Sequence, residues 1–474
     1  MGTLGVIFGN RDFFPDHLIG TARNDILGLF KEMGVEAVML DETDTKLGSV
    51  ETHADAKACA DLFKANRELI EGIVVVLPNF GDEKGVADTI KLSGLRVPIL
   101  VQAYPDDLGG LNLENRRDAL CGKISVCNNL RQYGFRYSLT SGHTMHPKSE
   151  AFRNDLRKFL GVCRVVNGLD SLRLGAIGAR PGAFNTVRYS EKLLQASGIT
   201  VETVDLSEIL GDAGRLSDDS PRVKAKIEEI EAYAKHDTVP SPAIVRMAKL
   251  GLVITDWMTA NDLQASAIQC WTSIQKNFGV NACTLMSMMS NQLVPSACEM
   301  DITGVVSMYA LQLASTTPSI LVDWNNNYAD DPDKCAVFHC GNWAKSFVPD
   351  AEISTAPILG TTVGEKNTYG AMEGRALAGA MTFSRVSTDD TAGVMRAYVG
   401  DAQFTNDPLD TFGSRAVAKV DDLQGLLRYI CLNGYEHHVA MTMGHVAAIL
   451  EEALTTYKNW DVYHHAGKGV GATS

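Results

Sequence analysis

Four short segments carry residue types that can do chemistry, and each also has an ordinary structural reading. Cys298-Glu299-Met300-Asp301-Ile302-Thr303-Gly304 lies where a loop enters an apolar helix. Carboxylates there gain from the unpaired N–H groups and dipole of a helix start, so capping explains them as readily as catalysis does. Ile320-Leu321-Val322-Asp323 runs an apolar strand directly into an acid, followed by Asn325-Asn326-Asn327. Ligands of open α/β sheets collect beyond the carboxyl ends of strands, which suits Asp323 as a metal ligand; a polar Asx turn accounts for the asparagines. Phe338-His339-Cys340-Gly341-Asn342-Trp343 is another strand end leading into a polar loop. His339 there is either a ligand or a hydrogen-bonded structural residue. The fourth segment is Glu436-His437-His438-Val439 through Gly444-His445. Neighbouring residues on a strand face opposite sides, so the pattern admits only one of His437 and His438 to a given site. Two carboxylates and several imidazoles suit Mn²⁺ or a similar octahedral divalent ion with positions left open for substrate oxygens. Zinc suits them less, because no pair of cysteines has CxxC spacing.

The elements that must position these residues follow from periodicity. Apolar runs at Leu4–Phe8, Ala37–Leu40, Ile73–Leu77 and Val97–Val101 alternate with helical patterns near 16–33, 54–69 and 84–93. Further helices are expected near 113–133 and 149–165. This βαβ rhythm predicts a parallel sheet covered on both faces. A second α/β unit begins at Leu172–Ile177. It continues through a helix near 186–197, a strand at Thr200–Val204 and helices near 217–234 and 241–261. Strands at Ala265–Trp271, Ser319–Asp323 and Ala336–His339 and a buried helix at 300–314 complete it. Beyond about residue 350 the segments Ala380–Val386, Val394–Val399 and Arg415–Val420 alternate as antiparallel strands do, and predict a β-rich, barrel-like unit. A helix (421–432), a strand (439–443) and a helix (445–457) follow, and the tail Gly467–Ser474 is expected to fray. The reading is therefore two doubly wound parallel-sheet α/β domains, 1–165 and 166–350, then a β-rich domain, 351–474.

Composition narrows the function. The 474 residues carry 43 Lys and Arg against 57 Asp and Glu, a formal charge of −14, which argues against nucleic-acid and anionic-membrane partners. No apolar run is long enough to span a bilayer. Leu4–Gly9 lacks the basic start and cleavage site of a secretory signal, so a cytoplasmic location is expected. Ten scattered cysteines, including Cys270 and Cys431 in apolar runs, predict buried reduced thiols. Gly175–Gly182 follows a strand but matches neither GxGxxG nor the P-loop, so no nucleotide cofactor is expected.

The segment His437–Val446 resembles the C-terminal metal-histidine segment of L-fucose isomerases, within the L-fucose/L-arabinose isomerase superfamily, with His438 in the ligand place and His445 in the closing Gly-His-Val. Cys298-Glu299-x-Asp301-x-x-Gly304 resembles the family's Cys-Glu-x-Asp segment. Gly374-Arg375 through Thr382-Phe383-Ser384-Arg385 resembles its barrel segment, with Ala378–Thr382 departing from the usual Pro-Gly-Pro-Val-Thr. The resemblance implies an aldose–ketose isomerase acting through a cis-enediol. Glu299 and Asp323 would be acid/base residues and ligands, His438 the third ligand, and the ion Mn²⁺ or another divalent metal. It implies a monosaccharide of the fucose or arabinose type, and a homo-oligomer in which a neighbour's N-terminal domain borders the site, with Arg11 as the contacting residue. Arg11, His339, Asn342, Trp343 and His445 are the candidate substrate contacts. Arg11, Arg180, Arg188, Lys366 and Arg375 lie in loops that could instead converge on an anionic hexose such as sulfoquinovose. A competing class is a non-catalytic sugar-binding protein built on the α/β domains.

Overall fold

The computed structural model describes residues 2–467 and divides into two compact units. The expected frayed tail lies, but for Gly467, outside the described residues.

The first unit is residues 1–167 together with 452–459. Its sheet is parallel, with Thr3–Gly9 and Ile70–Leu77 side by side at the centre and Ile99–Ala103 and Ser138–Leu139 beyond. Ile73 to Leu77 are buried without a break, as a strand covered on both faces requires. One face packs Ile73, Val75 and Val101 against the helices His53–Ala65 and Glu83–Ser93. The other packs Val74, Val76 and Leu100 against His17–Met33 and Glu150–Asp170. Local chemistry sets the helix ends. Asp82 accepts from the Gly85 N–H to start one helix, and Gly94 ends it in the left-handed conformation that glycine adopts at least cost. The helix expected at 113–133 begins only at Ala119, because the preceding segment is held as a loop by Asp106, which accepts from the N–H groups of Arg117 and Asp118. Late in the chain, the Tyr457 hydroxyl bonds to the backbone of Ile99 and lies 2.8 Å from the Ser138 hydroxyl.

The second unit, 168–451 and the described residues from 460 on, holds a four-stranded parallel sheet and a nine-stranded mixed sheet. Within the latter, six strands pair in a closed ring: Ser319–Tyr328, Asp331–His339, Ser414–Lys419, Val394–Thr405, Gly379–Asp389 and His438–Met443. Ser319–Tyr328 and Asp331–His339, read from sequence with the middle α/β segment, thus pair into the ring; periodicity reveals a strand but not its partner. The helices Leu206–Arg215 and Cys283–Asn291 and the strand Ser296–Cys298 escaped the sequence reading. Cys431, expected to be buried, is exposed at the end of its helix. No helix among the described residues is long and apolar enough to cross a membrane.

The helix Ile302–Ser315 organises this unit. It packs on His438–Met443 and Gly379–Asp389 of the mixed sheet and on Ala265–Ile268 of the parallel sheet. A helix enclosed this way must be apolar all round, as Val305, Val306, Met308, Ala310, Leu311 and Ala314 make it. Its N-terminus, the carboxyl end of Ser296–Cys298 and the start of His438–Met443 therefore come together.

Candidate active site

Asp301 is the helix cap, accepting from the Gly304 N–H at 2.8 Å, so Glu299 is released from capping. Glu299 and Met300 both take positive φ, 64° and 59°. Two non-glycine residues in that region cost roughly 1–2 kcal/mol each and turn the chain sharply between strand and helix. Asp323 and His438 are set by register, lying directly opposite one another on antiparallel strands, and Phe338 flanks Asp323 on the other side. Cross-strand pairs point to one face, so the two side chains meet.

His438 lies at the centre. Its Nε2 is 2.9 Å from Glu299 Oε2 and 3.4 Å from Asp323 Oδ1. Its Nδ1 is 2.8 Å from Asp301 Oδ2. Asp301 in turn takes a two-pronged contact from Arg385, whose Nη2 lies 3.0 Å from Oδ1, and both residues are fully buried. Arg385 also donates to Glu436 at 3.1 Å and Thr303 at 2.9 Å. This explains Gly304: a Cβ there would overlap Asp301 Oδ2 and lie 3.0 Å from Arg385 Nη1. Burial opposes ionisation of Asp301, but Arg385 and His438 overcome it and hold the carboxyl well below its usual range. An ionised Asp301 takes the Nδ1 proton of His438 as its hydrogen bond. The Nε2 lone pair is then aimed at Glu299 and Asp323, the arrangement in which an outer carboxylate orients a metal-binding histidine.

Glu299 Oε2, His438 Nε2 and His339 Nε2 are buried and lie together, and beyond the contacts within this cluster none has a hydrogen-bond partner. Such orphaned atoms are costly unless something satisfies them. Adjacent ligands of an octahedral ion with bonds of about 2.1 Å stand about 3 Å apart; the separations of His438 Nε2 from the two carboxylates, 2.9 and 3.4 Å, fit that edge. Burial pushes His438 down, but its hydrogen bonds to Asp301 and Glu299 more than reverse this and hold it up to about 10. Burial likewise pushes Glu299 up, and the hydrogen bond and charge of His438 outweigh it, leaving the carboxyl below its ordinary value. His339 differs from His438. Its Nδ1 accepts from the Cys340 N–H at 2.9 Å, so the neutral ring carries its proton on Nε2 and faces the site as a donor.

The remaining expected residues are distributed as follows. His437 precedes the strand, which starts at His438, so the opposite-face argument does not separate the pair. The His437 Nε2 is 3.5 Å from Asp323 Oδ1, and His437, His438 and Asp323 form a second group able to hold an ion. Trp343 is a core residue, fully buried with its Nε1–H on the Leu321 carbonyl. Asn342 is buried with neither amide atom partnered, outside the cavity lining. His445 is exposed at the far end of the strand that begins with His438, on the Ala402 carbonyl, and does not join the cluster. Arg11 belongs to the first unit, where it pairs with Glu83, donates to the Gly81 carbonyl and covers Phe80.

A cavity of about 390 Å³, within the range of small-molecule pockets, opens over Glu299, Asp323 and His339. Thr272, Thr355 and Thr362 line it along with apolar side chains. Arg180, Arg188, Lys366 and Arg375 are not among its lining residues. Arg180 and Arg188 donate to the backbone carbonyls of Pro181 and Asn185, and Arg375 to that of Thr405. Two aromatic residues were not foreseen. Trp271 donates its Nε1–H to Glu299 Oε1 at 2.8 Å, and Phe184 lies edge-on to Trp271 and His437 and tilted over His438. Phe184 follows the Gly175–Gly182 loop, whose glycines drew attention for a nucleotide rather than for this aromatic cover.

Known proteins are similar to this chain in sequence. Residues 5–170 match the fucose/sulfoquinovose isomerase N-terminal domain, and residues 337–465 the L-fucose isomerase C-terminal domain. Proteins named sulfoquinovose isomerase from Priestia aryabhattai and Clostridium sp. (strain MSTE9) are similar to this chain. The first is 25% identical over 397 residues, 83% of this chain and 84% of that protein. The second is 26% identical over 233 residues, 49% of this chain and 51% of that protein. Among solved structures, a periplasmic solute-binding protein from Actinobacillus succinogenes with bound D-allose aligns at 8% identity and a TM-score of 0.18, over 67% of this chain and 93% of that one, too low to support an argument. The chain belongs to the fucose isomerase-like superfamily of aldose–ketose isomerases.

Proposed function

We infer that this chain is a metal-dependent isomerase that interconverts a 6-sulfonated aldohexose of the sulfoquinovose type and its ketose. The convergence of three buried atoms, Glu299 Oε2, His438 Nε2 and His339 Nε2, with no hydrogen-bond partner outside the cluster carries the catalytic part. Names of relatives matched over most of the chain support the sulfonated substrate over a neutral fucose- or arabinose-type sugar. Membership of an isomerase superfamily and metal-type residues on separate segments argue against a plain sugar-binding module.

Glu299, Asp323 and His438 would hold the ion, with Mn²⁺ the expected metal. Bound, the ion would supply positive charge to the substrate's O1 and O2 as the carbonyl shifts between C1 and C2. Glu299, held ionised, is a suitable base for the carbon-bound proton, and Trp271 fixes its other oxygen. Asp323 faces the same space and completes an acid/base pair that can move a proton between C2 and C1 on one side of a cis-enediol. His339 offers a proton-bearing Nε2 to a substrate oxygen. Thr272, Thr355 and Thr362 offer neutral hydroxyl donors to a sulfonate. A full counter-cation would come from a neighbouring copy in a homo-oligomer, with Arg11 of its N-terminal unit as the candidate.

The test is turnover of a panel of aldoses by chelator-treated and Mn²⁺-reloaded protein. Activity should vanish with the chelator and return with Mn²⁺. The KM for sulfoquinovose should lie well below that for the matching 6-deoxy sugar, and the gap should narrow at high salt or in Arg11→Ala. Full activity without metal would overturn the ion's role, and equal KM values would restore the neutral-sugar reading.

A further inference from the structure

Behind the carboxylate–histidine cluster lies a group of sulfur atoms that the isomerase reading does not use. Cys283 opens the helix Cys283–Asn291, Cys298 ends the strand Ser296–Cys298, and Cys340 follows the strand Asp331–His339. The Cys340 Sγ is 3.8 Å from that of Cys283 and 3.9 Å from that of Cys298. Cys270, just beyond the strand Ala265–Ile268, is buried and interacts with the thiols of Cys298 and Cys340. No two of these residues are near neighbours in sequence, so spacing alone could not reveal the group.

The sulfur separations are informative. Four thiolates bound tetrahedrally at the Zn–S distance of about 2.3 Å stand about 3.8 Å from one another. The two measured separations, 3.8 and 3.9 Å, match that edge. Convergence of three or four thiols from separate elements is what a soft-metal site requires, and its ligand type differs wholly from the oxygen and nitrogen set of Glu299, Asp323 and His438. Cys270, Cys283 and Cys340 also line the cavity, which gives an ion an entry path.

We propose that Cys283, Cys298 and Cys340 form a three-thiolate site for Zn²⁺ or a similarly soft divalent ion, separate from the isomerase metal. Binding forms metal–sulfur bonds and releases the thiol protons to solvent, with no change of oxidation state. Cys298 adjoins Glu299 and Cys340 adjoins His339, so the ion would tie the two segments that present those residues to the cavity. Its role would be to position them.

The experiment uses the full-length protein, kept reduced, stripped of metal and titrated with Co²⁺ as the probe. Thiolate ligation gives an intense sulfur-to-cobalt charge-transfer band in the near ultraviolet and strong tetrahedral d–d bands. An oxygen–nitrogen octahedral site gives only weak d–d bands. One equivalent of Co²⁺ should produce the charge-transfer band, excess Mn²⁺ should not remove it, and Zn²⁺ should. Glu299→Gln should keep the band, whereas Cys283→Ser and Cys340→Ser should each weaken or abolish it. Because the first measurement needs no variant, misfolding of the substituted proteins does not protect the proposal. Weak octahedral bands alone in the wild-type protein overturn it, as does a charge-transfer band that survives both cysteine substitutions.

Discussion

Asp301→Asn is the sharpest perturbation of the site, because it keeps the shape of the side chain and changes only which atoms donate and accept. Asp301 Oδ1 accepts from the Gly304 N–H and from Arg385 Nη2, while Oδ2 faces Arg385 Nη1 and His438 Nδ1. An asparagine has one acceptor oxygen and one NH₂ donor. The oxygen belongs at the Oδ1 position, where the donors are more numerous and include a main-chain N–H. The NH₂ then faces His438 Nδ1 and forces that nitrogen to accept. The ring proton moves to Nε2 and points at Glu299, removing the lone pair that a metal needs. Loss of such an outer carboxylate costs about 10–100-fold in metal affinity. Breaking a buried ion pair costs about 3–5 kcal/mol, and the lower end applies here because Arg385 keeps Glu436 at 3.1 Å. Competition against a fluorescent chelator would read the affinity, and denaturant unfolding of the metal-free protein would read the stability. An Asp301→Asn protein that folds and binds Mn²⁺ within about threefold of wild type would refute the argument that Asp301 sets the histidine tautomer.

Glu299→Gln should retain the fold and lose turnover; wild-type exchange of the substrate's C2 hydrogen with solvent deuterium would remove Glu299 as acid/base. His438→Ala should lose the isomerase metal, while His437→Ala, whose Nε2 reaches Asp323 at 3.5 Å, should weaken binding by a smaller factor; metal content after gel filtration decides the order. Lys123 supplies a pH test in the first unit. Its side chain is fully buried and donates to Thr140 at 2.7 Å and the His143 carbonyl at 3.0 Å, and burial pushes it down from 10.5 to about 8. Below pH 8 the charge is present folded and unfolded, and its burial cost is felt in full. As pH rises from about 8 to 10.5 the folded state sheds the proton first, so this residue's contribution moves toward stability by up to about 3 kcal/mol. Denaturant titrations across that window should show Lys123→Met lacking this rise relative to wild type; parallel pH profiles would discard it.

The parts of the site legible in sequence were those fixed by local rules. Asp323 ends an apolar run, and Glu299 precedes an apolar helix just past the carboxyl end of Ser296–Cys298, where ligands gather; Asp323, read as a strand end, lies instead midway along Ser319–Tyr328. The parts that stayed hidden depend on tertiary pairing. Asp301 looked like a cap, and it is one, but its other oxygen serves His438. Arg385 sits in an alternating β pattern that gives no sign of a guanidinium held between two carboxylates. His437 was misjudged because strand alternation was extended one residue beyond the strand. The fold shows the same division: the parallel sheets followed from their βαβ rhythm, whereas ring closure by Ser319–Tyr328 and Asp331–His339 rests on partners far away in sequence.

The path of the chain through the first unit has a consequence during synthesis. Ser138–Leu139 forms an edge of its sheet, and the Tyr457 hydroxyl that bonds beside it belongs to a segment made about 285 residues after the rest of that unit. At roughly 5–20 residues per second, the ribosome needs on the order of 15–60 s to deliver it. Throughout that interval the nascent unit presents a sheet edge without its final anchor, and an open edge is a template for pairing with other chains. Residues 452–459 thus complete the first unit, so truncated products ending before residue 452 lack its anchor however well their own sequence folds.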